Sequence, residues 1–395
     1  MNHETALSNA KEIANTVLAP AARQNDKDSH FSSEAIGALG QSGFLALMLP
    51  AAVGGSGLGP RTFAAVTAQL AEADASVAMV YLMHVAATAT IAAARPGAAL
   101  ARTLHDIAGG RHLSTLAFSE AGSRSHFWSP VSRARRNGAG VLLSAKKSWV
   151  TSAGHAQSYV VSALAPTAKG PTESTLYLVP AEAPGISVAG PWDGLGLRAN
   201  ASAPMTLEDC EVSPELQLTD DGAGFQAMLE VVLPLFNLGA TAVALGLCRA
   251  AVAGTVAHLK AARFEHLGQS LGESLPTLRA QLAAMPRPDR AIVGAIRRRL
   301  TIANDPAGAT SFDRRFDQAV AGETAPRLKL ITDTRLGAGQ GHKIARAAAA
   351  QRVDQLRQEA RGEGLRPCVQ LDGRLHRHRF IVQRAAKRAI EVVGS

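Results

Sequence analysis

Apolar residues recur at spacings of three and four through IGALGQSGFLALML (36–49) and again through FAAVTAQLAEADASVAMV (63–80), which predicts two amphipathic helices. Between them, LPAAVGGSGLGP (49–60) holds enough Gly and Pro to stop both. From about residue 113 to 221 the pattern changes to short alternating runs bounded by turn residues, among them GVLLSAKKSWVTSA, SYVVSALAP, STLYLVP and APMTLEDCEV; these predict strands. After DDGAG at 220–224 a long helical periodicity returns, from FQAMLEVVLPLF onward. The order of helices, strands and helices argues for an α+β protein: a helical unit over 1–112, a β domain over 113–221 and a helical unit over 222–395.

Composition adds three constraints. At 395 residues the chain exceeds what one core usually supports, so several packed units are expected. Charged residues make up 18% against 47% hydrophobic, which leaves much helix surface to be buried inside the protein or in a homo-oligomer, dimer or tetramer. Two uncharged stretches, Ser76 to Ala94 and Val231 to Cys248, approach the length that spans a bilayer. Their Ala, Thr, His84, Pro234 and Asn237 content makes buried helices the expectation for both.

Cys210, Cys248 and Cys368 lie too far apart in sequence for a paired zinc or disulfide pattern, and the acidic N-terminus lacks an apolar signal core, so a cytoplasmic protein is expected. The net charge of +9 is not evenly spread: residues 286–395 carry 22 Lys and Arg against 11 Asp and Glu, or +11, and the remaining 19 against 21 give −2. A basic segment alone does not make a nucleic-acid site, and this one offers only Phe312, Phe316 and Phe380 for stacking, so nucleic acid is not the expected partner. His376 and His378 sit among arginines that repel a cation, and no metal site is expected.

The segment of most chemical interest is LAFSEAGSRSHFW (116–128), followed about twenty residues on by KSWVTSAG (147–154). Both place hydroxyls and small residues where backbone amides can reach a polar ligand. Read alone they are also ordinary turns, with Trp149 a core residue. Together, however, they resemble two signatures of the acyl-CoA dehydrogenase family, (A/V)-x-T-E-P-x-x-G-S-D and K-x-W-I-T-N, in the same order and spacing. GLGLRANASAPMTLEDCEV (194–212) resembles the family's second β-domain signature, and Arg263 to Met285 resembles its R-x-x-F-G-x-x-L helix pair, with Leu267 where Phe is usual.

The resemblance implies an N-terminal helical domain, a middle β-barrel and a C-terminal helical bundle, with FAD as cofactor. It places Ser119 at the pyrimidine edge of the flavin, Ser125 near the pyrophosphate, Trp149 against the isoalloxazine and Thr151 facing N5, with Leu116 and Phe118 beside them as cofactor contacts. Arg263 matches an arginine that reaches a neighbouring subunit's FAD, a task suited to a forked, permanently charged guanidinium. GAGQGHK (337–343) resembles the family's Gly-Gly-x-Gly loop, with Gly339 expected at the cofactor.

The implied reaction is α,β-dehydrogenation of an acyl-CoA thioester, with electrons passed to an electron-transfer flavoprotein. It needs a carboxylate to take the α proton. In the family that base follows an R-D-A motif. Here RQEAR (357–361) resembles the motif, but GEGLRPCVQLDGRL follows and no Y-E-G-T. The alternative position, near the start of the long helix, falls at about Asn237, which is no base. Glu363 and Asp372 are the nearest acids, but solvated surface charges are the first reading of both, and the base is not assigned. The last 110 residues thus diverge from the family, through substitution or a compensated frame shift. A flavin-dependent monooxygenase or oxidase using oxygen, or a silent relative that binds flavin without turnover, are the rival expectations.

Overall fold

The computed structural model describes residues 1–123 and 126–284, together with two short paired strands, β10 (Leu300–Thr301) and β11 (Lys329–Leu330). All of these belong to one compact unit, Met1–Leu330.

Helix α1 (His3–Ile13) begins at Asn2, whose side chain accepts from the Thr5 amide. It continues through a π turn into α2 (Ala19–Asp28), which ends at a left-handed Ser29. α3 (Ser33–Gln41) stops well short of the periodicity that predicted it. Gly43 at φ +76° breaks the helix, and Phe44, Leu45, Leu47 and Leu49 are then all buried, which no single helical face achieves. The second expected helix is likewise two, α4 (Pro60–Ala73) and α5 (Ala75–Ala93). Asp74 parts them: its backbone is extended and its carboxylate accepts from the amides of Ser76 (2.8 Å) and Val77 (3.1 Å). A cap of this kind contributes about 1 kcal/mol.

α5 is long and apolar enough to cross a membrane, but 72% of its most apolar window is buried, as a core helix requires. The other apolar stretch departs from expectation. α7 (Gly224–Ala227), a π turn and α8 (Leu233–Ala261) form one helix, of whose corresponding window only 33% is buried. One face packs on α4 and α5, while Phe236 and Leu247 project from the rest. Glycines set that close approach. A Cβ on Gly239 would stand 2.2 Å from Leu82, and one on Gly246 2.3 Å from the Ala68 carbonyl oxygen. Because backbone cannot yield as a side-chain tip can, Gly246→Ala is expected to cost about 1–2 kcal/mol. A lowered thermal midpoint with unchanged helix content would register this; an unchanged midpoint would mean that the helices separate freely.

The middle of the chain forms two sheets. In the first, β1 (Ser114–Ala117) runs parallel to β4 (Ser158–Leu164), which pairs antiparallel with β5 (Ser174–Pro180). These strands are buried along nearly their whole length, with α5 packed against β1. The second sheet is antiparallel, in the order β2 (Arg135–Asn137), β3 (Gly140–Val150), β7 (Ala203–Val212), β6 (Ile186–Val188). Single bridges, Glu120 with Lys147 and Arg133 with Leu164, join the two sheets. Beyond α8 a short hairpin of β8 (Arg263–Phe264) and β9 (Gln269–Ser270) leads into α9 (Leu271–Ser274) and α10 (Pro276–Ala284).

Candidate functional site

Strand β3 alternates strictly at first. Val141, Leu143, Ala145 and Lys147 face inward and are buried, so position 149 is due to face inward too. It does not. The register with β7 shifts between Lys147 and Val150, Trp149 takes the left-handed φ of +55°, and Val150 becomes the next buried residue. This bulge swings Trp149 outward until it is 62% exposed, which ends the reading of Trp149 as core. The Ser148 amide, inside the bulge, donates to the Ser119 carbonyl oxygen (2.8 Å) and so fastens β3 to the segment leaving β1.

Trp149 borders a cavity of about 470 Å³. Its other walls come from Met83 of α5, from Leu116, Phe118 and Ser119 at the end of β1, and from Phe127. The long helix closes it with Val232 and Phe236. Phe118 and Phe127 lie parallel with ring centroids 6.4 Å apart, and Trp192, outside the lining, meets Trp149 edge to face at 5.6 Å; with Phe236, four aromatic side chains line the cavity. A second cavity of about 460 Å³ lies beside the same helix, bordered by Leu58, Ala93, Ala227 and Val231. Its charged groups are already engaged: Glu230 accepts from Gln226, and Arg95 pairs with Asp220. No motif residue lines it, so the first cavity is the candidate site.

Glu120 is the one carboxylate among the described residues lining that cavity, and it is fully occupied. Its Oε2 accepts from the amides of Val131 and Ser132, both at 2.8 Å, and Oε1 accepts from the Ser132 hydroxyl and the Lys147 ammonium (2.7 Å). Burial works to raise the Glu120 pKa, but the Lys147 charge and these bonds outweigh it and hold the carboxyl below its ordinary range. Burial lowers the Lys147 pKa, with Glu120 opposing. Four oxygens surround that ammonium, from Glu120, Phe118 and both the carbonyl and hydroxyl of Ser162, which favours the charged form.

Of the residues singled out in the sequence, Leu116, Phe118, Ser119 and Trp149 meet at the cavity. Thr151 does not line it; buried behind the bulge, its hydroxyl lies 3.1 Å from that of Ser202. Arg263 sits on the hairpin after α8, exposed, and donates to the Gly268 carbonyl oxygen. Ser125, Gly339, Glu363 and Asp372 lie outside the described residues. Sequence reasoning passed over Glu120, Lys147, Phe127 and Trp192. Lys147 carried a visible signal, a cation on the inward phase of an alternating strand.

Residues 1–111 match the N-terminal domain of acyl-CoA dehydrogenases and residues 115–210 the middle domain. The mitochondrial short-chain specific acyl-CoA dehydrogenase of Rattus norvegicus is 25% identical over 251 residues, 63% of this chain and 61% of that protein. The match thus spans less than two thirds of that relative's length. Among solved structures, butyryl-CoA dehydrogenase from Megasphaera elsdenii superposes with a TM-score of 0.68 at 23% identity, over 75% of this chain and 76% of that one. FMN-bound TdsC from Paenibacillus sp. A11-2 does so with a TM-score of 0.68 at 21% identity, over 80% and 82%. At these identities the likeness is one of fold.

Proposed function

We propose, for a chain that belongs to the acyl-CoA dehydrogenase family, that the cavity beside Trp149 seats FAD and that the protein oxidises an acyl-CoA thioester to the enoyl-CoA. The observation that carries this reading is the bulge. It holds a large aromatic face in solvent, in a conformation unfavourable for tryptophan, next to Ser119 and a cavity with aromatic walls. A flat, electron-poor ring is the ligand that such a wall suits.

A bound flavin would supply a hydride acceptor. The residues of this chain then have separate tasks. Trp149 backs the ring, Ser119 offers its hydroxyl and its backbone amide to the polar edge, and Phe118 and Phe127 keep water from the cavity. In dehydrogenation the α proton passes to a carboxylate while the β hydrogen leaves as hydride. Glu120 is unsuited to receive that proton, being ionised, tied by four bonds and paired with Lys147. The base of this reading therefore comes from elsewhere, with Glu363 and Asp372 its candidates. Electrons would pass to an electron-transfer flavoprotein, and Arg263, exposed at the end of α8, would serve a neighbouring subunit's cofactor in a homo-oligomer.

The engagement of Glu120 favours one second reading, a flavin-dependent oxygenase or oxidase on the same fold, which needs no such base. Purified full-length protein is expected to be yellow, or to become so with FAD, and to bleach anaerobically with an acyl-CoA. A flavin that stays yellow with every acyl-CoA but, once chemically reduced, reacts rapidly with oxygen would transfer the assignment to the second reading. Protein that takes up no flavin would end both.

A further inference from the structure

Lys147 has no exposed side-chain surface and Glu120 only 5%, yet their ion pair sits in the wall of the candidate site. The Lys147 ammonium bonds to Glu120 Oε1 (2.7 Å), to the Ser162 carbonyl oxygen (2.6 Å) and, at 3.5 Å, to that of Phe118. Glu120 in turn gathers the amides of Val131 and Ser132. Four separate stretches of chain, at 118–120, 131–132, 147 and 162, thus converge on one pair of charges. Stability alone is a poor account of it, because well-packed apolar side chains commonly replace a buried ion pair without loss. Apolar side chains would not, however, fix the register. The pair marks the bridge between the segment after β1 and strand β3, and the adjoining residues on each side are those facing the cavity, Ser119 before Glu120 and Ser148–Trp149 after Lys147.

We infer that Lys147 and Glu120 are a positioning pair which locks the bulge of β3 to the end of β1, and so sets Ser119 and Trp149 at the separation a flavin ring requires. The inference rests on the flavin reading above. The pair itself stays out of the chemistry, since every polar atom it owns is directed at protein.

The test compares full-length parent protein with the double variant Lys147→Met/Glu120→Leu, which removes both charges and leaves neither stranded. Three quantities are read: thermal midpoint, FAD affinity by titration, and acrylamide quenching of Trp149 with Trp128→Phe and Trp192→Phe in both proteins. The double variant is expected to melt somewhat below the parent, because the Val131 and Ser132 amides lose their acceptor, to bind FAD about tenfold or more weakly, and to show altered Trp149 quenching, because a wall misplaced by about 1 Å loses much of its effect. Parent-like FAD affinity together with parent-like quenching would overturn the inference. If the double variant does not fold, Glu120→Gln, which leaves Lys147 an uncharged acceptor but turns an amide donor towards the Val131 and Ser132 N–H groups, carries the same comparison. Should the parent itself take up no FAD, the flavin reading fails by that result, and Trp149 quenching alone decides whether the pair positions the bulge.

Discussion

Between pH 7 and pH 4 the fold is expected to lose roughly 3 kcal/mol through one residue, His84 on α5. The ring is fully buried; the Ser114 amide donates to Nδ1 (3.0 Å), and Nε2 lies 2.9 Å from the Leu45 carbonyl oxygen. A neutral imidazole with its proton on Nε2 satisfies both contacts, whereas a second proton on Nδ1 would face the amide hydrogen of Ser114. Burial pushes the pKa down to about 4, partly opposed by the carbonyl contacts to Leu45 and Ser114, with His112 nearby also disfavouring the charge. In the unfolded chain the same group titrates near its ordinary 6.5. The folded state therefore binds the proton less readily, and the stabilisation is complete above 6.5 and lost as pH falls towards 4. His112 and His155 are also lowered by burial and add to the same trend, while Glu120, held below its ordinary range, contributes as pH falls through that range. His84→Gln keeps one donor and one acceptor without titrating in this range. Denaturant melts at pH 7.0, 5.5 and 4.5 should fall less steeply for this variant than for the parent. Parallel falls would assign the acid sensitivity to other groups.

His84 also illustrates how far the sequence could be read. Its place in an uncharged stretch marked a buried helix, and α5 is that helix. The ring's role as a pin between α5, the turn at Leu45 and the start of β1 depends on partners 39 and 30 residues away, which no local pattern records. The same limit explains the two helices that proved to be broken. Apolar spacing runs on through Ser42–Gly43 and through Asp74, because buried residues sit on both sides of each break. Only the left-handed Gly43 and the capping carboxylate of Asp74 mark the stops.

At the site, motif resemblance supplied Ser119 and Trp149, and alternation supplied the strand. Alternation by itself would have buried Trp149, because the bulge that reverses it is set by pairing with β7, some fifty residues on. The helix wall of Val232 and Phe236 was equally out of reach, since it depends on how α8 packs on α5 through Gly239. The apolar run that was expected to form a buried helix leaves Phe236 at the cavity for the same reason.

Trp149→Gly is expected to weaken FAD binding about 10- to 100-fold, the equivalent of ~1–3 kcal/mol of aromatic stacking, while leaving the protein as stable as the parent or more so. The two effects differ because the same side chain stands differently in each ledger. For folding, Trp149 is a poor choice: its φ of +55° is unfavourable for any residue with a Cβ, and 62% of its surface stays in water. A glycine accepts that backbone freely and removes strain of about 1 kcal/mol, set against loss of the edge contact with Trp192. For flavin, the indole is the broad wall that the bulge presents to the cavity, and glycine leaves nothing there. Thermal midpoint and FAD affinity, measured on the same preparation, should therefore move independently or in opposite directions. Unchanged FAD affinity would remove Trp149 from the cofactor site. A large fall in the midpoint would mean that the bulge is held by the indole, which would make Trp149 a structural residue after all.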